Sequence, residues 1–261
     1  MPLITIFPKN LKIFDDLDVR LFSSLFEQTK FTNRVLYYLE TAKIPISYNI
    51  SKRSLMFLFH ILSQKESELV RKVYEAMSLK PVLHDWYYMI KSEKEKYNIK
   101  LSDHEIQCLS KNRFKKIVNE KVNQYAFSKL ISKAKNQVKC RQIVEQIDIR
   151  NMKIQKYLIS DKLVKEEQVL LFSLRSNSFP VKTNFRYLYK DDLSCRACIH
   201  FGTVESENHF ARDCLCFKEF RNNKQLDINA IYGSISEQIS FVKQFKLIAR
   251  KWKLILEMEP N

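Results

Sequence analysis

Apolar residues recur every three or four positions along most of the chain, which is the spacing of amphipathic helices. The segments with this spacing are residues 51–64, 66–78, 111–137, 163–177 and 235–258. The pattern predicts a mainly α-helical fold, a helical bundle around an apolar core.

Local signals add detail to these helices. Ser102 is followed three positions later by Glu105, the arrangement of a capping box, which predicts a short helix beginning there. Ser51 is a candidate N-cap for the first segment. In the second segment, the spacing predicts that Leu69 and Val73 point inward.

One stretch breaks the helical period. Residues 184–190 place aromatic side chains at Phe185, Tyr187 and Tyr189, and this period of two predicts a short strand or extended arm. On such an arm the three rings share one face, where unpaired bases can stack. Packing of the arm against the helices is the alternative interpretation.

The chain is strongly basic, with 45 Lys and Arg against 29 Asp and Glu and a net charge of +16. Between residues 111 and 165, fifteen Lys and Arg accompany only four acidic residues. A surplus of this size attracts polyanions, and we expect RNA or DNA to bind through backbone phosphates. Lys115 and Lys116 are candidate contacts. A solvated Lys-rich helix is the alternative.

Other features exclude ligand classes. The two glycines, Gly202 and Gly233, cannot form a P-loop or a dinucleotide fingerprint, and we expect no small-molecule substrate. The longest nearly apolar run, residues 55–62, is far shorter than the ~20 residues that span a bilayer, so we expect no membrane partner. The first eight residues lack a secretory signal, which predicts an intracellular protein, nuclear or cytoplasmic.

The strongest chemical signal is a cluster of cysteines with one histidine. The spacing Cys195-x2-Cys198-x10-His209-x4-Cys214 supplies the thiolate and imidazole ligands of a tetrahedral Zn²⁺ site. Without a secretory signal, metal binding is favoured over disulfides. Because all four positions are filled, the motif predicts a structural zinc knuckle without an open catalytic position. Cys216 in place of Cys214, and His200 in place of His209, are open alternatives.

Two sequence blocks resemble one protein family. One block consists of Leu171–Asn177, Val181–Phe185 and the Cys and His set with Glu207–His209. The other consists of Leu39–Glu40, Ile44–Ile46, Ser51–Arg53 and Leu55–Leu62. Together they are similar to the C-terminal region of non-LTR, LINE-type retrotransposon reverse transcriptases, a helical segment after the polymerase core followed by a zinc knuckle.

The resemblance implies a zinc-dependent, weakly sequence-specific RNA- or DNA-binding fragment of the retrotransposon polyprotein, with an upstream polymerase domain as a further partner. The catalytic residues of the family have no counterpart in this sequence, so we expect no enzyme activity. Residues 189–192 match the Tyr-x-Asp-Asp turn of reverse transcriptases, but no upstream strand supplies the partner carboxylate that two Mg²⁺ ions require. A zinc-stapled scaffold or protein-interaction module without nucleic-acid function is the alternative.

These interpretations divide the chain into four parts. They are an N-terminal segment (1–30), a basic helical region (31–178), a zinc-binding knuckle (179–217) and a C-terminal helical segment (218–261). The basic and aromatic residues around the knuckle are further candidate nucleic-acid contacts. They are Arg175, Lys182, Phe185, Arg186, Tyr187, Tyr189, Arg196 and Arg212.

Overall fold

A computed structural model describes residues 8–28, 32–82, 85–137, 140–145, 152–189, 192–198 and 202–258. Twelve α-helices lie within these residues. They are α1 (Pro8–Leu25), α2 (Arg34–Thr41), α3 (Ile46–Leu62), α4 (Leu69–Leu79), α5 (Trp86–Lys96), α6 (Asp103–Cys108), α7 (Lys111–Lys135), α8 (Arg141–Glu145), α9 (Lys165–Arg175), α10 (Arg186–Tyr189), α11 (Glu207–Arg212) and α12 (Ile235–Met258). Among the described helices, none has both the length and the apolar character needed to cross a membrane.

The predicted mainly α-helical fold is confirmed. Helix α12 coincides with the predicted segment 235–258, and α7 begins at residue 111 as the apolar period indicated. Ser102 caps α6 through the predicted capping box with Glu105. Within the described residues no strand forms, and β-type pairing is limited to one antiparallel bridge between Ser194 and Val204.

The predicted extended arm is wrong. Residues Lys182–Phe185 form a 3-10 turn that leads directly into α10. Successive helical residues are rotated by about 100°, so rings two positions apart point in different directions. Phe185 is buried, Tyr187 is 59% exposed, and Tyr189 packs against the Arg196 guanidinium. The three aromatic residues therefore do not form one stacking face.

The described residues form two compact units. The first contains those within residues 1–20, 43–133 and 148–152, and the second contains those within 21–42, 134–147 and 153–261. The cysteine-rich loop and α12 thus belong to the same unit as α2 and α9. The four-part division of the chain stays a prediction.

Apolar residues of α3 and α7 form the core of the first unit. Leu55 and Leu58 of α3, with Phe114 and Val118 of α7, are at most 1% exposed. Burying a side chain of this size contributes about 1.5–3 kcal/mol relative to leaving it in water. The four positions follow the apolar period that predicted the two helices.

Two finer expectations for the first unit are wrong. Helix α3 begins before Ser51, whose hydroxyl instead accepts a hydrogen bond from Tyr97 at 3.0 Å inside the unit. In α4, Leu69 is 76% exposed and Val73 is 44% exposed, whereas Tyr74 is buried. Tyr74 takes the inner position because its hydroxyl donates to an Asp103 carboxylate and its ring packs against neighbouring aromatic side chains.

The second unit is centred on α9 and α12. Leu171 and Phe172 of α9, with Phe245 and Ile248 of α12, are fully buried. Ion pairs join the same two helices at the surface, where Lys246 and Arg250 of α12 contact glutamates at the start of α9. This helix pair supports the segments that carry the cysteine cluster.

Candidate metal centre and basic surface

Cys195, Cys198, His209 and Cys214 converge on one point, as their spacing predicted. Their ligand atoms all lie within 4.8 Å of one another, and Cys198 Sγ is 3.4 Å from His209 Nε2. In a tetrahedral site with Zn–S bonds of about 2.3 Å, neighbouring sulfurs are about 3.8 Å apart. A contraction of about 1 Å or less brings the donor atoms to that spacing. The four side chains can hold a metal ion.

Local hydrogen bonds of the backbone bring the four ligand side chains close together. The bridge between Ser194 and Val204 closes the loop after the first two cysteines, and the Cys195 N–H donates to the Thr203 carbonyl at 2.9 Å. The Ser206 hydroxyl caps α11 by accepting from the His209 N–H. The Cys214 N–H then donates to the His209 carbonyl at 2.8 Å, which brings the last cysteine back beside the histidine.

The contacts within the cluster favour the metal-binding form at Cys195, and they favour the protonated forms of Cys214 and His209. A hydrogen bond from the Cys214 thiol lowers the pKa of Cys195, and the same bond together with burial raises the pKa of the Cys214 thiol. The Cys195 and Cys198 sulfurs raise the pKa of His209. A thiolate is therefore favoured at Cys195, and a bound metal ion displaces the remaining protons because only deprotonated thiols and neutral imidazole are ligands.

The fourth cysteine of the region has a different position. Cys216 is exposed, and its thiol donates to the Ala197 carbonyl at 2.9 Å. It is not a member of the converging group, so the geometry favours Cys214 as the ligand. His200, the other open alternative, lies outside the described residues. All six cysteines of the chain are free thiols.

Three residues that sequence reasoning missed support the cluster. Glu205 is fully buried and accepts hydrogen bonds from the Arg196 N–H and guanidinium at 3.1 and 2.7 Å. Arg221 Nη1 donates to the carbonyls of Phe210 and Cys214 at 2.8 and 2.9 Å. Trp252 of α12 packs against the same segments. The partners of these residues lie at least seven positions away, beyond the spacings of helix and cap signals, so no local sequence signal marks them.

Three predicted nucleic-acid contacts are buried, which excludes them from an exposed contact surface. Arg175, Lys182 and Phe185 are 2%, 4% and 7% exposed. Arg175 forms an ion pair with Glu40, and Lys182 forms one with Asp192. Asp192 is also the last residue of the Tyr-x-Asp-Asp match, and residues 190 and 191 of that match lie outside the described residues.

The remaining candidates around the cluster differ in exposure. Arg196 is half-buried, and its guanidinium is held by Glu205 and lies 5.3 Å from the Tyr189 ring centroid. Arg186, Tyr187 and Arg212 are exposed. Among these remaining candidates, only the last three are exposed.

The predicted basic surface begins at α7. Eight Lys and Arg lie within this helix against one acidic residue, Glu120, and Lys115 and Lys116 are both exposed. The first turn carries no acidic residue. Among the described residues, no carboxylate forms an ion pair with an α7 cation.

No protein-family model, curated protein or solved structure matches the chain. The fold and the cluster together define a mainly α-helical protein with a Cys3His group arranged to hold a metal ion.

Proposed function

We propose that the cluster binds Zn²⁺ and that the chain binds RNA or DNA through phosphate contacts. In this proposal it is a non-catalytic fragment of a non-LTR retrotransposon reverse transcriptase. The observation that carries nucleic-acid binding is the group of exposed cations at the beginning of α7. The resemblance of the two sequence blocks supports the assignment to the retrotransposon family.

The position of these cations argues for a ligand. Lys111, Arg113, Lys115 and Lys116 all lie in the first six residues of α7 and are exposed. Lys111 and Arg113 lie in the first turn, where a cation opposes the macrodipole at a cost of about 0.3–1 kcal/mol at low ionic strength, whereas the effect has fallen off at Lys115 and Lys116. Helix stability alone therefore favours acidic residues in this turn. A bound phosphate backbone reverses the sign of the interaction because it is attracted both to the cations and to the helix N-terminus.

Exposed residues near the cluster supply a second contact region. Arg186 and Arg212 can reach phosphates, and the Tyr187 ring, 59% exposed, can stack on an unpaired base. Such stacking is worth about 1–3 kcal/mol per base and tolerates any sequence. Binding is therefore weakly sequence-specific and strongly dependent on salt.

Zn²⁺ is the metal that fits the donor set best. Three thiolates and one imidazole at these distances match closed structural zinc sites, and soft sulfur donors disfavour Mg²⁺ and Ca²⁺. The four protein ligands fill a tetrahedral shell. The role of the metal is therefore to hold residues 195–214 in the conformation that presents Arg186, Tyr187 and Arg212, and the proposal contains no catalytic step.

Fluorescence anisotropy tests the proposal. Labelled single-stranded RNA and duplex DNA are titrated with the full chain, with Zn²⁺ or with a chelator, at several salt concentrations. We expect the logarithm of affinity to fall linearly with the logarithm of salt concentration. The charge reversals Lys115→Glu and Lys116→Glu, made together, should weaken binding at least tenfold and reduce the salt slope by about one per lost phosphate contact.

A matched variant distinguishes a specific contribution of the α7 lysines from a general effect of net charge. Lys65→Glu with Lys80→Glu makes the same change in net charge at two exposed positions outside α7. We expect it to lower affinity much less than the α7 pair. Equal losses in the two variants, or a folded, metal-loaded chain that binds neither nucleic acid, would contradict the proposal.

The scaffold alternative has its own structural support. Leu69, Leu79 and Val82 of the first unit are 76%, 83% and 65% exposed, and exposed apolar side chains mark a protein-interaction surface where they are contiguous. By contrast, the side chains of Leu55 and Trp252 are buried within their own units. Light scattering distinguishes the alternatives, because a protein-interaction surface of this kind predicts self-association that Leu79→Glu removes.

A further inference from the structure

We propose that metal binding at the cluster controls the docking of the C-terminal part of α12, the turns after Arg250, through the side chain of Trp252. This inference rests on the metal site of the proposed function and goes beyond it. It makes the C-terminal helix a metal-dependent element of the second unit.

The Trp252 side chain is inserted into a pocket beside the metal ligands. Its side chain is 1% exposed, and its indole N–H donates to the Pro180 carbonyl at 2.9 Å. The Phe210 ring centroid lies 4.8 Å from that of Trp252, in an edge-to-face arrangement. The Arg196 guanidinium lies 4.9 Å from the Trp252 ring centroid on a cation–π contact.

Two residues of this pocket are direct sequence neighbours of metal ligands. Arg196 directly follows Cys195, and Phe210 directly follows His209. Arg196 and Phe210 therefore each share a peptide bond with a ligand. Fixing the ligands around one metal ion fixes the position of both pocket residues, whereas releasing the metal frees the backbone on either side of them.

The buried charge of Glu205 strengthens this coupling. Its carboxylate accepts from the Arg196 backbone and guanidinium and from the Lys182 N–H. The loop that the metal closes thus holds the guanidinium on the face of Trp252. If the loop opens, the Arg196 cation leaves both the buried carboxylate and the indole ring.

The earlier part of α12 is held by contacts outside the metal-binding segments. Phe245 packs on Phe179 with ring centroids 5.5 Å apart. Lys246 and Arg250 form ion pairs with Glu166, with nitrogen-to-oxygen distances of 3.1 and 2.8 Å. Loss of the metal therefore affects the turns that follow Arg250, while the preceding turns stay docked on α9.

Coupling of this kind is reciprocal. If the metal stabilises docking of Trp252, then docking of Trp252 must raise the affinity for the metal by the same factor. Residues that support metal ligands without touching the metal contribute about 10–100-fold to affinity when they are removed. We expect Trp252→Ala to weaken Zn²⁺ binding by a factor in this range.

The experiment uses the full chain carrying Trp86→Phe. Because the sequence has two tryptophans, Trp252 is then the only source of tryptophan fluorescence. Competition with a chromogenic chelator measures Zn²⁺ affinity, and acrylamide quenching of Trp252 fluorescence measures its exposure with and without the metal. We expect Zn²⁺ to decrease quenching at least twofold while circular dichroism at 222 nm shows that most helix remains in the metal-free protein.

Phe245→Ala is the matched control, since it removes another buried aromatic side chain from the same helix. Its ring partners Phe179 and Phe241 are not adjacent in the sequence to any of the four metal ligands. It should lower the midpoint of urea unfolding but leave Zn²⁺ affinity within about twofold of the parent, whereas Trp252→Ala weakens affinity at least tenfold.

Other outcomes overturn the inference in distinguishable ways. One such outcome is that Zn²⁺ binds, Trp252 is quenched equally with and without the metal, and Trp252→Ala keeps the parental affinity. This outcome would refute the coupling but not the metal site. Collapse of the whole helical signal on metal removal would refute local control of α12. Failure to bind Zn²⁺ at all would refute the proposed metal site and this inference together.

Discussion

Arg175 and Glu40 are 135 positions apart in the sequence and form an ion pair inside the second unit. Arg175 Nη2 lies 3.0 Å from Glu40 Oε1, and the two side chains are 2% and 0% exposed. Arg175 Nη1 also donates to the Ile231 carbonyl at 2.6 Å, and its guanidinium packs on the rings of Tyr157 and Tyr232. These contacts explain why Arg175 is a structural residue and not a phosphate contact.

We predict that Arg175→Met destabilises the second unit by about 3–5 kcal/mol, because it leaves the Glu40 charge buried without a partner. Urea unfolding followed by circular dichroism measures the change. The double variant Glu40→Leu with Arg175→Met should be less destabilised than Arg175→Met, since no buried charge remains. Arg212→Met, at an exposed position, should change stability by less than about 0.5 kcal/mol. A small effect of Arg175→Met would show that the pair is not formed in solution.

Metal stoichiometry distinguishes the two neighbouring cysteines. Cys214→Ser should abolish tight binding of Zn²⁺, because it removes one of the four converging ligands. Cys216→Ser should retain one Zn²⁺ per chain with nearly parental affinity, since Cys216 points to the Ala197 carbonyl. Mass spectrometry under non-denaturing conditions measures the stoichiometry. The reverse pattern would assign Cys216 as the ligand.

Glu166 should titrate well below the usual range. The hydrogen bond from Arg250 and the weaker contribution of Lys246 together lower the pKa of Glu166 to about 2. Because this folded-state pKa lies below that of the unfolded chain, the interaction stabilises the protein above about pH 4.5. That contribution is lost as the pH falls towards 2.

Carboxyl carbon shifts measured by NMR against pH test this prediction. Arg250→Gln should raise the pKa of Glu166 towards its ordinary value of 4.5. Lys253→Gln, at an exposed position on the same helix, should leave it unchanged. An ordinary pKa for Glu166 in the parent protein would mean that the ion pair to Arg250 is not populated.

The capping box of α6 offers a test in the first unit. The Ser102 hydroxyl accepts from the Glu105 N–H at 3.2 Å, and the Glu105 carboxylate accepts from the Ser102 N–H at 2.7 Å. Ser102→Ala should lower the free energy of unfolding by about 1 kcal/mol. Ser102→Thr should retain most of the cap, and equal losses in the two variants would contradict a capping role. Urea midpoints of the three proteins provide the comparison.

Features that depend on residues close together in the chain were predicted correctly, whereas features that depend on distant residues were not. The Ser102 cap, the limits of α12 and the convergence of Cys195, Cys198, His209 and Cys214 were all readable from spacing, because each depends on residues close together in the chain. Leu69 and Tyr74 show the opposite case. Both are apolar enough for the inner side of α4, and contacts from α5 and α6 select Tyr74.

By itself, the sequence determined the helical class, the main helix positions, the basic surplus and the identity of the metal-binding set. These follow from periodicity, composition and short-range spacing. Only the tertiary structure decided which cations are available to a ligand, that residues 182–189 are helical, and that Trp252 covers the metal-binding segments. The physical reason is that burial and long-range pairing depend on which distant segments meet, as the Arg175–Glu40 ion pair and the Trp252–Pro180 hydrogen bond show.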